Sequence, residues 1–168
     1  MRVVGIDPGA AGALAFLTLE NDLPVHLECW DMPTLRVGKR SHLDAYGLAR
    51  RIDATQKDGE LAVAIFEQGG VRPQNGRVGA ATFWLGLGEV RGIFAANFIP
   101  IETVSSGVWK RNLRVVGDKD ASRIRASAMF PRWSDQWARA KDHGRAEAAL
   151  IALYGARQLS VQHLLEAG

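Results

Sequence analysis

The chain contains a single cysteine, Cys29, and only four histidines. A lone cysteine cannot close an internal disulfide, which fits a reducing cytosol. It lies in an apolar, strand-like run, where a buried inert thiol is expected rather than a nucleophile. No Cys/His cluster has the spacing of a zinc site. No apolar stretch is long enough to span a bilayer, and the N-terminus lacks a basic region followed by a signal-like apolar segment. A cytoplasmic protein with no membrane partner is therefore expected. Internal repeats and low-complexity tracts are also missing.

The 168 residues suit one domain with a sizeable core, and the composition is ordinary for a globular protein. The net charge is +3, unevenly spread: residues 1–70 are net acidic and residues 71–168 net basic. Arginine far outnumbers lysine, and its planar fork suits bidentate phosphate contacts. Charge of this size supports nucleic-acid binding only weakly by itself.

Short β-branched runs and turn residues divide the chain. Residues 2–7 read as a first strand, 13–18 as a second joined to it by a small-residue turn, and 26–32 as a third. Residues 33–41, with Arg36, Lys39 and Arg40, read as an exposed basic loop. Leu43, Tyr46, Leu48 and Ile52 recur at roughly helical spacing, which predicts a helix over 42–56. The apolar run 61–66 reads as a buried parallel strand ending in Glu67. A Gly-rich loop over 68–79 and a helix over 80–96 follow. Residues 98–101 are predicted as an edge strand because of Pro100. Short helices are expected over 106–113 and 119–130. Trp133 and Trp137 fall in a basic connector, and Asp142 opens a last helix running to about residue 159. This order of a hairpin meander followed by alternating helices and strands predicts an α/β fold with a mixed sheet flanked by helices.

Carboxylates at strand ends carry the functional signal. Asp7 closes the run Val3-Val4-Gly5-Ile6-Asp7 and is followed at once by Pro8-Gly9. A carboxylate there is costly to desolvate unless a cation meets it. Glu67 ends the second buried strand, and the two ends are neighbours if their strands run parallel. Ligand sites in open α/β sheets gather at such ends. Asp142, His143 and Glu147 lie at the start of the last helix, with Glu147 among small apolar residues. Convergent carboxylates suit Mg2+, a hard cation held by oxygen ligands. Each residue also has an ordinary role open to it. Asp142 is a good N-cap, Glu67 has Arg72 and Arg77 for partners, and Glu147 has Arg145.

Together, Gly5-Ile6-Asp7-Pro8-Gly9 with its hairpin, Ile65-Phe66-Glu67-Gln68, Gly117-Asp118-Lys119 and Ala146-Glu147-Ala148 resemble the RuvC-like Holliday junction resolvases. These belong to the ribonuclease H-like nucleases, and the match is to their compact, phage- or prophage-type branch. The resemblance covers nearly the whole chain in the family's order. It implies a ribonuclease H-like mixed five-stranded sheet flanked by helices, and a single RuvC-like nuclease domain over residues 1–168. It further implies a crossover junction endodeoxyribonuclease of DNA recombination and repair. Such an enzyme would act as a homodimer on four-way junctions, in the host cytoplasm if phage-encoded. Paired nicks would leave 5′-phosphate and 3′-hydroxyl ends. Forks, other branched DNA and RNA-containing substrates are the alternative, as is a weakly catalytic junction-binding protein.

The implied catalytic set is Asp7, Glu67, Asp142, Glu147 and Lys119. The first four are the expected ligands of Mg2+ or Mn2+, as two ions per site. Gly144 stands where the family often has an acid or histidine, which leaves Asp142 or His143 as fourth ligand. Asp142 is favoured for its charge and hard oxygen. The expected DNA surface comprises Arg72, Arg77, Lys110, Arg111, Arg114, Lys119 and Arg123. Gly69-Gly70-Val71 replace an aromatic wedge that some resolvases carry after the second acid. Gly86, Gly88 and Gly92 would let their helix approach a partner closely.

Overall fold

A computed structural model describes residues 1–57, 61–69, 76–117 and 119–166. Three strands open the chain as an antiparallel meander: β1 (Arg2–Asp7), β2 (Ala13–Glu20) and β3 (Leu23–Asp31). A separate hairpin follows, made of β4 (Thr34–Val37) and β5 (Arg40–Leu43). Helix α1 (Ala45–Lys57) leads to β6 (Val63–Glu67), which pairs parallel to β1. Helix α2 (Gly76–Ala96) and strand β7 (Ile101–Val104) come next, with β7 parallel to β6. The remainder is helical: α3 (Ser106–Asn112), α4 (Lys119–Met129), a 3₁₀ segment over Pro131–Trp137 and α5 (His143–Glu166). The main sheet has five strands in the order β3-β2-β1-β6-β7.

The predicted architecture is therefore present, with local corrections. The basic stretch 33–41 is not a loop but most of the β4–β5 hairpin, whose β4 side chains are all exposed. Helix α2 begins at Gly76 rather than at residue 80. Strand β7 begins three residues later than expected, because Phe98 takes a left-handed turn conformation, φ 56°, and Pro100 precedes the pairing. Its place at the sheet edge is as predicted. The basic connector of Trp133 and Trp137 is a 3₁₀ segment in which Trp137 is fully buried and packs on Phe130. No described helix is long and apolar enough to cross a membrane.

Two cores sandwich the sheet. On one face Val3, Val63 and Ile65 pack with α3, α4 and α5. On the other, Val4, Ile6, Ala64 and Phe66 pack with α1 and α2. Alternate strand residues point to opposite faces. By that parity the continuation of Val3-Gly5 is Asp7, and that of Val63-Ile65 is Glu67. Both carboxylates therefore project to the α5 side.

Helix α5 lies unusually close to the sheet. Ala148, Ala149, Ala152 and Ala156 form its buried side, and Gly155 leaves room for Ile65. A β-carbon added at Gly5 would run into the Ala148 carbonyl oxygen and the Ala152 nitrogen. Small residues on both partners thus set the helix-to-strand distance, and that distance places Glu147.

Candidate active site

Asp7, Glu67 and Glu147 each offer a carboxylate oxygen, and these oxygens lie within 4.8 Å of one another. The register explains the first two: Ile6 pairs with Phe66, so each strand's next residue ends beside the other's. Glu147 arrives from the first turns of α5. The three line a cleft of about 510 Å³ with Ser106, Lys110 and His143.

Neutral and cationic groups already brace the carboxylates. The buried Trp109 indole donates to Glu67 Oε1 at 3.2 Å, and the buried Ser122 hydroxyl donates to Glu147 Oε1 at 2.9 Å. Lys110 Nζ forms an ion pair with the same Glu147 oxygen at 3.0 Å. Burial pushes the Glu67 carboxyl above the usual carboxylate range; the Trp109 hydrogen bond opposes this, and the charge of Glu147 reinforces it. Carboxylates crowded this closely favour a cation among them. Three hard oxygen donors, with an ammonium seated on one, fit a divalent metal such as Mg2+. Local sequence pattern does not reveal Trp109 or Ser122 as a carboxylate partner. Both contacts are long-range, and only helix packing reveals them.

The fourth position needs correction. Asp142 does not join the cluster. Its buried carboxylate turns back to Arg139, accepting from Nε at 2.8 Å, Nη2 at 2.9 Å and the backbone N–H at 3.2 Å. Nor is Asp142 the expected N-cap of α5: it is the third residue of the 3₁₀ turn Ala140–Asp142 and closes a capping box back onto Arg139, whose guanidinium and N–H lie nearest. His143, the other candidate, does line the cleft. Gly144 is glycine for want of room: a β-carbon there would sit 2.9 Å from the Ala11 carbonyl oxygen and 3.2 Å from Asp7 Oδ2.

The expected DNA surface divides similarly. Lys110 is in the cleft, while Arg77, Arg111 and Arg114 are exposed. Arg123 is not a free surface cation. It donates to the carbonyls of Trp137 and Ala138 and pairs with Asp120, tying α4 to the 3₁₀ segment. Arg72 and the side chain of Lys119 lie outside the described residues. Arg145 does not pair with Glu147; it forms a two-pronged bridge to Asp31 at 2.6 Å. Cys29 is buried as expected, and desolvation pushes its thiol up to about 12.

The Asp31–Arg145 and Arg139–Asp142 pairs fasten the entry of α5, and hydrogen bonds from arginine hold both aspartates below the usual carboxylate range. A folded-state pKa below the unfolded value contributes stability that is present above the unfolded pKa. It is lost as pH falls through the folded one. Urea midpoints are thus expected to hold near neutrality and to decline as the solution becomes acidic. Asp142→Asn should lower the melting temperature at neutral pH by roughly 5 °C and flatten the acid limb. An unchanged acid limb in that variant would contradict the fastening.

The order of strands, the parallel pairing of β1 with β6 and the acidic cluster at their carboxyl ends define an α/β fold of the ribonuclease H-like class. Within that class the chain has the fold of RuvC. RuvC of T. thermophilus in complex with a Holliday junction substrate superposes with a TM-score of 0.66 at 18% identity, over 96% of this chain and 96% of that one. A second Thermus thermophilus RuvC structure gives 0.65 at 19% identity, covering 96% and 97%. No family model matches the chain, and no curated protein sequence does.

Proposed function

We propose that residues 1–168 form one metal-dependent nuclease domain that nicks branched DNA, four-way junctions above all. The observation that carries this reading is the meeting of Asp7, Glu67 and Glu147 within 4.8 Å at the carboxyl ends of two parallel strands. The similarity in fold to a RuvC solved with a Holliday junction supports the substrate class.

Asp7, Glu67 and Glu147 would hold Mg2+, or Mn2+ in its place, as two ions with His143 as the further ligand. When bound, the metal supplies an activated water and charge neutralisation at the leaving oxygen. The chain's own groups do the rest. Trp109 and Ser122 hold one oxygen each of Glu67 and Glu147, which steadies both carboxylates at the cleft wall. Lys110 exchanges its pairing with Glu147 for the scissile phosphate, where a cation favours the developing charge. Arg77, Arg111 and Arg114 contact flanking phosphates, which reads shape rather than sequence. Hydrolysis leaves a 5′-phosphate and a 3′-hydroxyl.

The exposed α2 face with Val78, Trp84 and Leu85 is the proposed dimer surface. Added β-carbons at Gly88 and Gly92 meet nothing within 4 Å, leaving that helix open to a close partner. A two-fold dimer would present two sites to two strands of like polarity.

The test compares Mg2+-dependent nicking of a four-way junction, a fork, a linear duplex and an RNA–DNA hybrid at equal concentration. Junction nicking by paired, symmetric cuts is expected. Junction affinity should fall about tenfold or more between 50 and 200 mM salt if several phosphates are contacted. Preference for the hybrid or the fork would replace the junction assignment, and salt-independent binding would contradict the phosphate contacts.

A further inference from the structure

The β4–β5 hairpin joins no strand of the main sheet. A lone hairpin is marginal in water unless something backs it. Here β5 leans on α2, with Leu43 opposite Gly86. Between them lies a cavity of about 160 Å³, walled by Met32, Leu43, Phe83 and Val90, with Ser41 and His42 as polar lining. It also shares Pro8, Gly9, Ala10 and Phe83 with the carboxylate cleft. Phe83 is set at this junction by Gly69, two residues beyond Glu67, where a β-carbon would collide with the ring. Arg36, Lys39 and Arg40 stand exposed on the same hairpin.

We propose that this groove is a nucleobase subsite. A base of the DNA strand beside the scissile phosphate leaves its stack and lodges between the hairpin and α2, against Phe83. Arg36, Lys39 and Arg40 hold the neighbouring phosphates. The inference rests on the branched-DNA reading above and adds to it a second contact for the same strand.

Three features support this occupant. The groove shares the wall Pro8, Gly9, Ala10 and Phe83 with the cleft, so the two are close enough for one strand to reach both. Its walls are apolar and aromatic, and any base can stack on such a wall, while Ser41 and His42 can discriminate base edges. The hairpin that forms one wall also carries the exposed cations Arg36, Lys39 and Arg40, which complement a phosphate backbone, and bases at a branch point cost least to unstack.

The experiment places 2-aminopurine, which brightens when unstacked, at successive positions around the cleaved bond of a four-way junction. Fluorescence is read on binding without divalent metal. Wild-type protein is expected to brighten one position next to that bond. Gly86→Leu fills the groove and favours the helix it sits in, so it should fold and lose the brightening. Arg36→Ala/Lys39→Ala/Arg40→Ala should weaken junction binding about tenfold and reduce its salt dependence. Wild-type protein that nicks junctions while every probe stays dim overturns the subsite and leaves the nuclease reading standing. Full brightening in Gly86→Leu also overturns it. Brightening without nicking has the opposite effect, sparing the subsite and removing the nuclease assignment.

Discussion

Asp7→Asn is expected to reduce metal-dependent nicking of a four-way junction by about three orders of magnitude or more, with junction binding retained. Asp7 ends β1 on the α5 side, and one of its oxygens is within 4.8 Å of ligand atoms of Glu67 and Glu147. The amide preserves the shape and removes the charge that would hold a hard cation. Binding should persist, because in the proposed complex exposed arginines outside the cleft would carry the phosphate contacts, and removing one negative charge lessens repulsion of DNA. Glu147→Gln should behave similarly, and EDTA should reproduce the loss in the unaltered protein. Nicking and gel mobility are measured on one mobile junction. Undiminished cleavage by purified Asp7→Asn would remove Asp7 from the proposed ligand set.

Gly5→Val should be the most damaging single change to the fold, costing about 3 kcal/mol or more. Gly5 lies under α5, where even a β-carbon would overlap the Ala148 carbonyl oxygen and the Ala152 nitrogen. These are backbone atoms of a buried helix and cannot rotate aside, so α5 must lift from β1. A drop in melting temperature of about 6–12 °C is expected. Lifting α5 also carries Glu147 away from Asp7 and Glu67, so metal affinity should fall in whatever fraction still folds. Gly107→Ala is the control: nothing lies within 4 Å of an added β-carbon there, and stability should hold or rise slightly. Equal melting temperatures for Gly5→Val and the unaltered protein would refute the close helix packing.

Much of the sheet is legible from local pattern. Runs such as Val3–Asp7 and Leu61–Glu67 are short, β-branched and bounded by turn residues, so their strand character and acidic ends need no partner to be recognised. The hairpin over 34–43 was not legible. β4 buries nothing and only the end of β5 is half-buried, and an exposed Arg-Val-Gly-Lys-Arg reads the same whether paired or not. The burial of Trp137 was hidden for a related reason: charged neighbours signal solvent, but a 3₁₀ segment turns one side chain inward among them.

The same division runs through the site. Asp7 and Glu67 could be expected together from sequence, because strand parity and parallel pairing are rules of period two and few topologies satisfy them. Glu147 could be expected nearby, because an acid among alanines on a buried helix calls for a partner. The competition between Asp142 and His143 could not be settled that way. Both lie at the helix entry, and which one faces the cleft depends on where Arg139 places its guanidinium and on how closely Gly144 lets α5 approach Asp7. By itself, the sequence determined which carboxylates stand at element ends, since that follows from local periodicity. Only the tertiary structure decided which of them meet, since a few ångströms of helix packing separate a cleft carboxylate from a helix cap.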